Sequence, residues 1–317
     1  MISIGGENLI DLVSGDPDAN GLPRYVANPG GSPYNVAIAA ARQGQKVAYL
    51  TPVSDDALGV LLAERLTESR VTLAAPRAPY PTSLAVVSIT DGIPSYAFHR
   101  NATAERQISL AGLERDMPAE TRLFHVGSLA LIGGDDADAW EAFFAACPGR
   151  GVMTSLDPNV RPGLITDADG YRARIRRMMR HADIFKLSDE DLLWLYPDRP
   201  LDAALADCRA ECDAALFILT MGGEGSRLFL ATRQGDIELD AAAPALDNLA
   251  DTVGAGDTYM ASILCWVLES GLASRAALAA INEAELTRAA TRAGEAAAIN
   301  CQRSGCNPPW REELVNI

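Results

Sequence analysis

Asp251-Thr-Val-Gly-Ala-Gly-Asp257, followed at once by the apolar run Tyr259-Met-Ala-Ser-Ile-Leu-Cys-Trp-Val-Leu268, decides how the rest of the chain is read. A short loop of small residues empties into the N-terminus of a buried helix. Gly254, Ala255 and Gly256 leave backbone N–H groups that can point at one spot. The first N–H groups of the helix and its dipole add to them, and such a construction binds anions. Asp257 sits beside that spot. A carboxylate there is out of place for anion binding alone, but in place for taking the proton of a hydroxyl that attacks a bound phosphoryl group. Asp257 reads equally well as a helix cap on a tight glycine turn, so the remaining sequence has to decide.

The 317 residues are 48% hydrophobic and 22% charged, a globular composition with enough chain for one large or two medium domains. A net charge of -15 argues against nonspecific nucleic-acid binding. It also means that a polyanionic substrate needs local help from arginines, backbone N–H groups and a divalent cation. Lys46 and Lys186 are the only lysines, so a phosphate clamp is expected to be arginine or backbone. The N-terminal Met-Ile-Ser-Ile-Gly-Gly has no basic segment and no long apolar stretch, which predicts no signal peptide. The run at 259–268 is too short to span a bilayer, so no membrane partner is expected. Six cysteines without a Cys-x-x-Cys pair suggest neither a disulfide framework nor a zinc site, and Cys208 and Cys212 read as buried thiols. A cytoplasmic protein is expected.

Short β-rich runs alternate with helical runs, the pattern of a mostly parallel α/β sheet. Strands are predicted at 1–5, 47–51, 123–126, 152–157, 184–186 and 216–220. Helices are predicted at 58–68, 137–146, 171–180, 201–210 and 286–300, and from Ser32-Pro33 to Gln43 with Ser32 as N-cap. One region breaks the alternation. Residues 84–90 and 95–100 around Asp91-Gly92 read as an antiparallel hairpin, and 12–29 is rich in Gly, Pro, Asp and Asn. Together they suggest a small β element inserted at about 12–29 and 82–104 of a single 1–317 domain. It reads as a lid that excludes water from phosphoryl transfer, or as a surface hairpin without a role.

Ligands of open parallel sheets gather at the carboxyl ends of strands. Asp157-Pro-Asn159-Val-Arg161, Lys186-Leu-Ser188-Asp-Glu-Asp191 and Thr220-Met-Gly222-Gly-Glu-Gly225 each end a predicted strand, and Asp251 opens the glycine loop after a fourth. Ser188–Asp191 reads as a helix cap with an acidic first turn, and also as carboxylates holding water around magnesium. Gly222 and Gly225 make a turn that either approaches a phosphate or simply closes a hairpin. Near the front, Asp11 and Gly30-Gly31-Ser-Pro-Tyr-Asn35 offer a carboxylate, an amide and close backbone approach to a polyhydroxylated ligand. No Gly-x-x-x-x-Gly-Lys-Ser/Thr loop is present, and no Gly-x-Gly-x-x-Gly follows the first strand.

Taken together, Asp251–Asp257 and Gly30-Gly31-Ser-Pro-Tyr-Asn-Val-Ala-Ile-Ala resemble the two signatures of the ribokinase-type (PfkB) sugar kinases. Gly6-Glu7-Asn-Leu-Ile-Asp11, Asp157–Pro162 and Cys301-Gln-Arg-Ser-Gly-Cys-Asn-Pro-Pro309 narrow the likeness to bacterial fructokinases. The resemblance implies a Rossmann-like three-layer α/β domain with a mostly parallel central sheet and a small β-sheet lid, through which many members dimerise. It implies ATP and Mg2+ as cofactors and a ketose, D-fructose, as acceptor, with a 2-keto-3-deoxygluconate or other sugar-acid kinase as the rival substrate reading. A noncatalytic sugar or nucleotide sensor is the rival of another class. By the same likeness Asp257 is the base, and the amides of Gly254, Ala255 and Gly256 hold the transferring group. Asp11, Gly30, Gly31, Asn35, Arg100, Asn159 and Arg161 meet the sugar or its phosphate. Lys186, Thr220, Gly222, Gly225, Ala297, Asn300 and Ser304 are placed at the nucleotide. Glu190 or Asp191 serves magnesium through water, and Asp251 helps hold a monovalent cation such as K+. Two departures stand out: Ser188 replaces the family's frequent Asn, and Tyr34 stands where a smaller residue is common.

Overall fold

The computed structural model describes residues 1–90 and 93–314, with backbone alone at 88–90 and 93–96. The expected turn residues Asp91 and Gly92 lie outside the described residues. In chain order the strands are β1 Ile2–Gly5, β2 Leu9–Gly15, β3 Arg24–Gly30, β4 Val47–Tyr49, β5 Val71–Leu73, β6 Ser83–Thr90, β7 Ile93–His99, β8 Leu123–Gly127, β9 Met153–Asp157, β10 Ile184–Ser188, β11 Leu216–Thr220, β12 Ser226–Leu230 and β13 Ile237–Ala241. The helices are α1 Ser32–Arg42, α2 Ala57–Glu68, α3 Leu110–Asp116, α4 Asp135–Ala146, α5 Ala168–Met179, α6 Asp189–Leu195, α7 Leu201–Glu211, α8 Ala255–Glu269, α9 Arg275–Leu278 and α10 Glu283–Cys301.

A nine-stranded sheet runs β13-β12-β11-β10-β9-β8-β1-β4-β5. It is parallel apart from β12, which opposes both neighbours. Ile184, Leu216 and Ile218 enter the core on one face, and Phe185, Leu187, Phe217 and Leu219 enter the core on the other. This is the period of two that a strand buried on both sides imposes. Side chains from α1, α2, α8 and α10 close the first face, and those from α3 to α7 the second, giving three layers. Each fully buried Leu, Ile or Phe contributes about 1.5–3 kcal/mol. Helix α8 is buried from Asp257 through Val267 and packs between α1 and α10, which explains an apolar run with no polar face.

A smaller sheet, β3-β2-β6-β7, has β2 and β6 parallel and its outer pairs antiparallel. It docks through Leu9 and Ala85 against Leu129, with Ile132 and Leu164 packed alongside. Those partners lie in the segments after β8 and β9, so the smaller sheet stands at the carboxyl rim of the larger one.

The expected elements of the large sheet are found with ends shifted by a turn or less, and two readings need correction. Gly31, not Ser32, is the N-cap of α1, and no side chain caps that helix; the Ser32 hydroxyl is bonded elsewhere, as described below. Asp251 does not follow a strand directly. Strand β13 ends at Ala241, and the chain runs irregularly from 242 to α8, through Pro244 and Asp247-Asn248, residue types that favour turns over a ladder. The short α3, β5 and β12 carry too little periodicity to be read, α6 shows in the sequence only as its capped acidic first turn, and β13 is an alternating strand, Ile237-Glu-Leu-Asp-Ala241, absent from the expected set. All six cysteines are free. Among the described residues no helix is long and apolar enough to cross a membrane.

Candidate active site

Strands β1 and β8 are neighbours, yet from β1 the chain builds toward β4 and β5, and from β8 toward β9, β10 and β11. Sheets of this kind open a crevice at the carboxyl ends where the order reverses. The N-terminus of α8 faces that rim. Its N-cap, Gly254, has φ 75°, and a Cβ there would run into the sulfur of Cys306; only glycine takes this left-handed position without strain. The N–H of Ala255 is taken by Thr252 O at 3.2 Å. Those of Gly254, Gly256 and Asp257 carry no acceptor among the described residues. They are orphan donors of a helix start. Among the described residues the amides left without an acceptor at this turn are thus those of Gly254, Gly256 and Asp257; that of Ala255, expected with them, is engaged by Thr252 O.

Asp257 is buried, and both of its oxygens are engaged from the first turn of α1. Ser32 Oγ donates to Oδ1 at 2.7 Å and Asn35 Nδ2 to Oδ2 at 2.8 Å. Asn159 Nδ2 reaches Oδ1 at 3.5 Å. Burial raises the carboxyl above its ordinary value, the donors from Ser32 and Asn35 pull it down, and nearby Asp157 and Lys186 act in opposite senses. The net rise makes Asp257 a stronger proton acceptor than a surface aspartate. It joins α8, which carries the orphan amides, to α1, which carries the Gly30–Asn35 motif.

Beneath the turn lies a buried ion pair, Lys186 Nζ to Asp157 Oδ2 at 2.6 Å, with the two side chains 4% and 0% exposed. A Cβ on Gly256 would sit 3.2 Å from Nζ. Desolvation disfavours the ammonium, but Asp157, its hydrogen bond, Asp191 and Asp257 outweigh that, and Lys186 stays charged well into alkaline pH. One of the two lysines in the chain thus places its charge against the turn at Gly256.

On the smaller-sheet side, Asp11 lies against Gly30, where a Cβ would run into its carboxylate. Burial pushes Asp11 up to about 6, with Arg161 opposing. The Arg161 guanidinium is turned back onto the carbonyls of Asn159 at 3.2 Å and Val160 at 3.0 Å. Arg100 is committed to Glu105 in a buried pair, Nε to Oε1 2.9 Å and Nη2 to Oε2 3.1 Å. Asn159, at φ 36°, is held by Asp157 Oδ1 accepting its N–H at 3.2 Å.

The nucleotide-side residues divide. Thr220 ends β11 in register with Ser188, and Gly222 and Gly225 form the turn into β12, so the hairpin reading of that motif describes its geometry. Asn300 is a buried tie, giving Nδ2 to Val253 O at 2.8 Å and taking Asn307 N–H at 2.9 Å. Asp251 accepts from Val253 N at 3.0 Å and Gly305 N at 2.9 Å, clamping the glycine loop to the C-terminal segment. Ala297 packs on the α8 face of the core, and Ser304 is exposed. Among the described residues no hydrogen bond joins the Asp257 carboxylate to Thr220, Gly222, Gly225, Ala297 or Ser304. Of the magnesium candidates, Glu190 is exposed. Asp191 is buried, accepting from Val160 N at 2.7 Å and Ser188 N at 3.0 Å, in a reciprocal capping box on α6. Among the described residues no group of three or more His, Cys, Asp or Glu could hold a metal ion.

Sequence reasoning missed Ser32, Glu7 and the pairing of Asp157 with Lys186. Ser-Pro before a helix reads as a cap and gives no hint of a bond to a residue 225 positions away. Glu7 stood only as part of a likeness.

The model of the pfkB family carbohydrate kinases matches residues 2–313. A fructokinase from Rhizobium leguminosarum bv. trifolii is 34% identical over 287 residues, 90% of this chain and 85% of that protein. A Vibrio cholerae O395 fructokinase double mutant, solved in a form bound to fructose, ADP and potassium, superposes with a TM-score of 0.79 at 25% identity, covering 96% of this chain and 93% of that one. An ATP-bound fructokinase from Xylella fastidiosa gives a TM-score of 0.84 at 22% identity, over 99% of this chain and 97% of that one. An inserted smaller sheet, a glycine turn opening a buried helix and an aspartate in its first turn thus sit on a chain matched along nearly its whole length, and the protein belongs to the pfkB family of carbohydrate kinases.

Proposed function

We propose that this carbohydrate kinase is a fructokinase, transferring the γ-phosphoryl group of ATP to D-fructose to give fructose 6-phosphate. The observation that carries the reading is Asp257: a buried carboxylate of raised basicity, beside orphan amides and above the Lys186 ammonium. The 34% identical Rhizobium fructokinase and the fructose-bound Vibrio cholerae enzyme support the sugar.

Asp257 takes the proton of the attacking hydroxyl. The amides of Gly254, Gly256 and Asp257, with Lys186 beneath, are set to hold the negative charge of the group in flight; catalysis of this kind rests on positioning and charge rather than covalent chemistry. Asp11 and Asn35 orient the sugar, and the smaller sheet acts as the lid that excludes water. Its exposed Tyr25 and Val26 on β3 support a dimer through the same sheet. The orphan amides over the Lys186 ammonium fit a phosphate, and ATP is held there and along the Thr220–Gly225 rim. Asp191 or Glu190 would hold a magnesium ion through water, the remaining ligands being phosphate and water as that cation prefers. Magnesium supplies charge neutralisation when bound. The Asp251 clamp is the place where potassium would stiffen the loop.

A sugar-acid substrate is disfavoured because Arg100 already has Glu105 as its carboxylate partner. The test is ADP release with fructose, glucose, ribose, adenosine and ketodeoxygluconate, by the wild type and Asp257→Asn. Turnover with fructose alone is expected, with kcat lowered about 10²–10⁴-fold in the variant. Wild-type turnover in Asp257→Asn removes the base, activity with ketodeoxygluconate alone removes fructose, and no ADP release with any sugar leaves a sensor.

A further inference from the structure

Ser32 is the first residue of α1, and its hydroxyl gives α1 no cap; it donates to Asp257 Oδ1 at 2.7 Å. Its own N–H, an orphan of the helix start, goes to a different element: Glu7 Oε1, in the β1–β2 connection, accepts it at 2.9 Å. Glu7 is 1% exposed and immobilised along its backbone. Tyr49 donates to the carbonyls of Gly6 and Glu7, Thr51 bonds Gly6 on both its N–H and its C=O, and Asn8 reaches Pro52 O. Gly31, at φ 116°, packs directly on Glu7 O, where a Cβ would collide. Glu7 Oε2 has no hydrogen-bond partner among the described residues. A buried carboxylate is thus fixed in place for one hydrogen bond, and that bond locates the turn from which Ser32 and Asn35 grip Asp257.

We propose that Glu7 and Ser32 are positioning residues of the phosphoryl-transfer reaction: Glu7 fixes the first turn of α1, and the Ser32 hydroxyl so fixed sets the orientation and basicity of Asp257. This rests on the reading of Asp257 as the base. A donor to the charged form lowers a carboxyl pKa, so Ser32 restrains the rise that burial imposes. The other groups facing Asp257 are Asn35 from α1, Asp157 and Asn159 from the end of β9, Lys186 from β10 and Cys306 from the C-terminal segment. None is altered by Ser32→Ala. Those facing Glu7 are Arg100, Glu105, Tyr49 and Tyr171. Two oxygens offer about four acceptor sites; with three donors in place, one remains for the acceptor hydroxyl.

The experiment is the pH dependence of kcat and kcat/KM, with ATP and the accepted sugar, for wild type, Ser32→Ala, Glu7→Gln, Glu7→Ala and the double variant Glu7→Ala/Ser32→Ala. Ser32→Ala is expected to move the acid limb of kcat/KM upward by about half a unit or more and to lower kcat about tenfold, while sugar KM changes less than about threefold. Glu7→Gln keeps an oxygen for the Ser32 N–H and is expected to hold kcat within about threefold of wild type. Glu7→Ala falls to the level of Ser32→Ala, and the double variant falls no further, as residues acting through one bond are non-additive. An unmoved acid limb in Ser32→Ala overturns the proposal, as does a Glu7→Gln enzyme as impaired as Ser32→Ala. Should Glu7→Ala fail to fold, Ser32→Ala and Glu7→Gln still decide it. Wild-type turnover in Asp257→Asn defeats the base assignment itself; turnover lost there with an unmoved limb in Ser32→Ala defeats only this inference.

Discussion

Replacing Glu7 with Gln should make stability less dependent on pH, and the size of the effect follows from burial. The Glu7 carboxyl is pushed from 4.5 up to about 7, chiefly by desolvation, with Arg100 and the Ser32 N–H opposing and Glu105 adding to the rise. Below 4.5 the group is protonated in the folded and unfolded chains alike and costs nothing differential. Between 4.5 and about 7 only the unfolded chain releases the proton, so stability falls as pH rises. Above about 7 the penalty is constant. At about 1.4 kcal/mol per unit, the rise amounts to about 3 kcal/mol. Gln has the same shape and never titrates, so any fixed cost of burying its amide is the same at every pH. With about 2.1 cal/mol/K of unfolding entropy per residue, 3 kcal/mol is about 5 °C of melting temperature for a chain of this length. The assay is the melting temperature of both proteins from pH 4.5 to 8. The wild type should lose about 5 °C relative to Glu7→Gln across that window. Asp11 titrates there in both proteins and cancels in the difference. Parallel curves would refute the reasoning, because they would mean that Glu7 is solvated or already neutralised.

Three further outcomes follow from the site. Gly254→Ala forces a left-handed alanine into the Cys306 sulfur; calorimetry should show a loss of about 2–4 kcal/mol, with kcat reduced, and Cys306→Ala added in the same chain should recover part of both. Lys186→Met leaves Asp157 buried without its cation, and should cost about 3–5 kcal/mol in urea unfolding while lowering kcat more than it raises sugar KM. Asp191→Ala removes a capping box and the tie to Val160, a loss of about 1–3 kcal/mol; a magnesium titration of activity then tests its second role, since an unchanged midpoint leaves Asp191 with capping alone.

The layers were legible because buried parallel strands and amphipathic helices write their period into the sequence over several residues. The runs at 184–187 and 216–219 send alternate side chains into two cores, as strands buried on both faces do. Val71–Leu73 is too short to show a period, and Ile237–Ala241, although it alternates apolar and polar residues, is a half-exposed edge strand; both exist because a neighbour supplies their ladder. The site was legible to the extent that it is made of backbone: the glycines around 254 and 31 announce geometry that other residues resist. Side chains whose partners are distant in sequence were not. Arg100 was expected to meet the ligand and meets Glu105, a choice that rests on how a loop folds back after β7.

Ser32 shows why such misses collect at a site. Local rules assign a serine before a proline to capping, which is worth about 0.5–2 kcal/mol to a helix. Here the hydroxyl leaves α1 uncapped and serves a carboxylate on α8, while Glu7, from a third element, takes the N–H that was left behind. A residue that departs from its local preference and is bonded on both sides across the fold reports a constraint set from outside its own helix. Asp257 is where those constraints meet. On the proposed function one helix start offers amides for an anion, the other offers donors for a base, and a single buried carboxylate registers the two against each other. On the proposed reading, the same bond sets whether the proton acceptor faces the sugar and where the phosphate lies relative to it. Neither helix fixes that relation alone, which is why the two family signatures, some 220 residues apart in the chain, are read together or not at all.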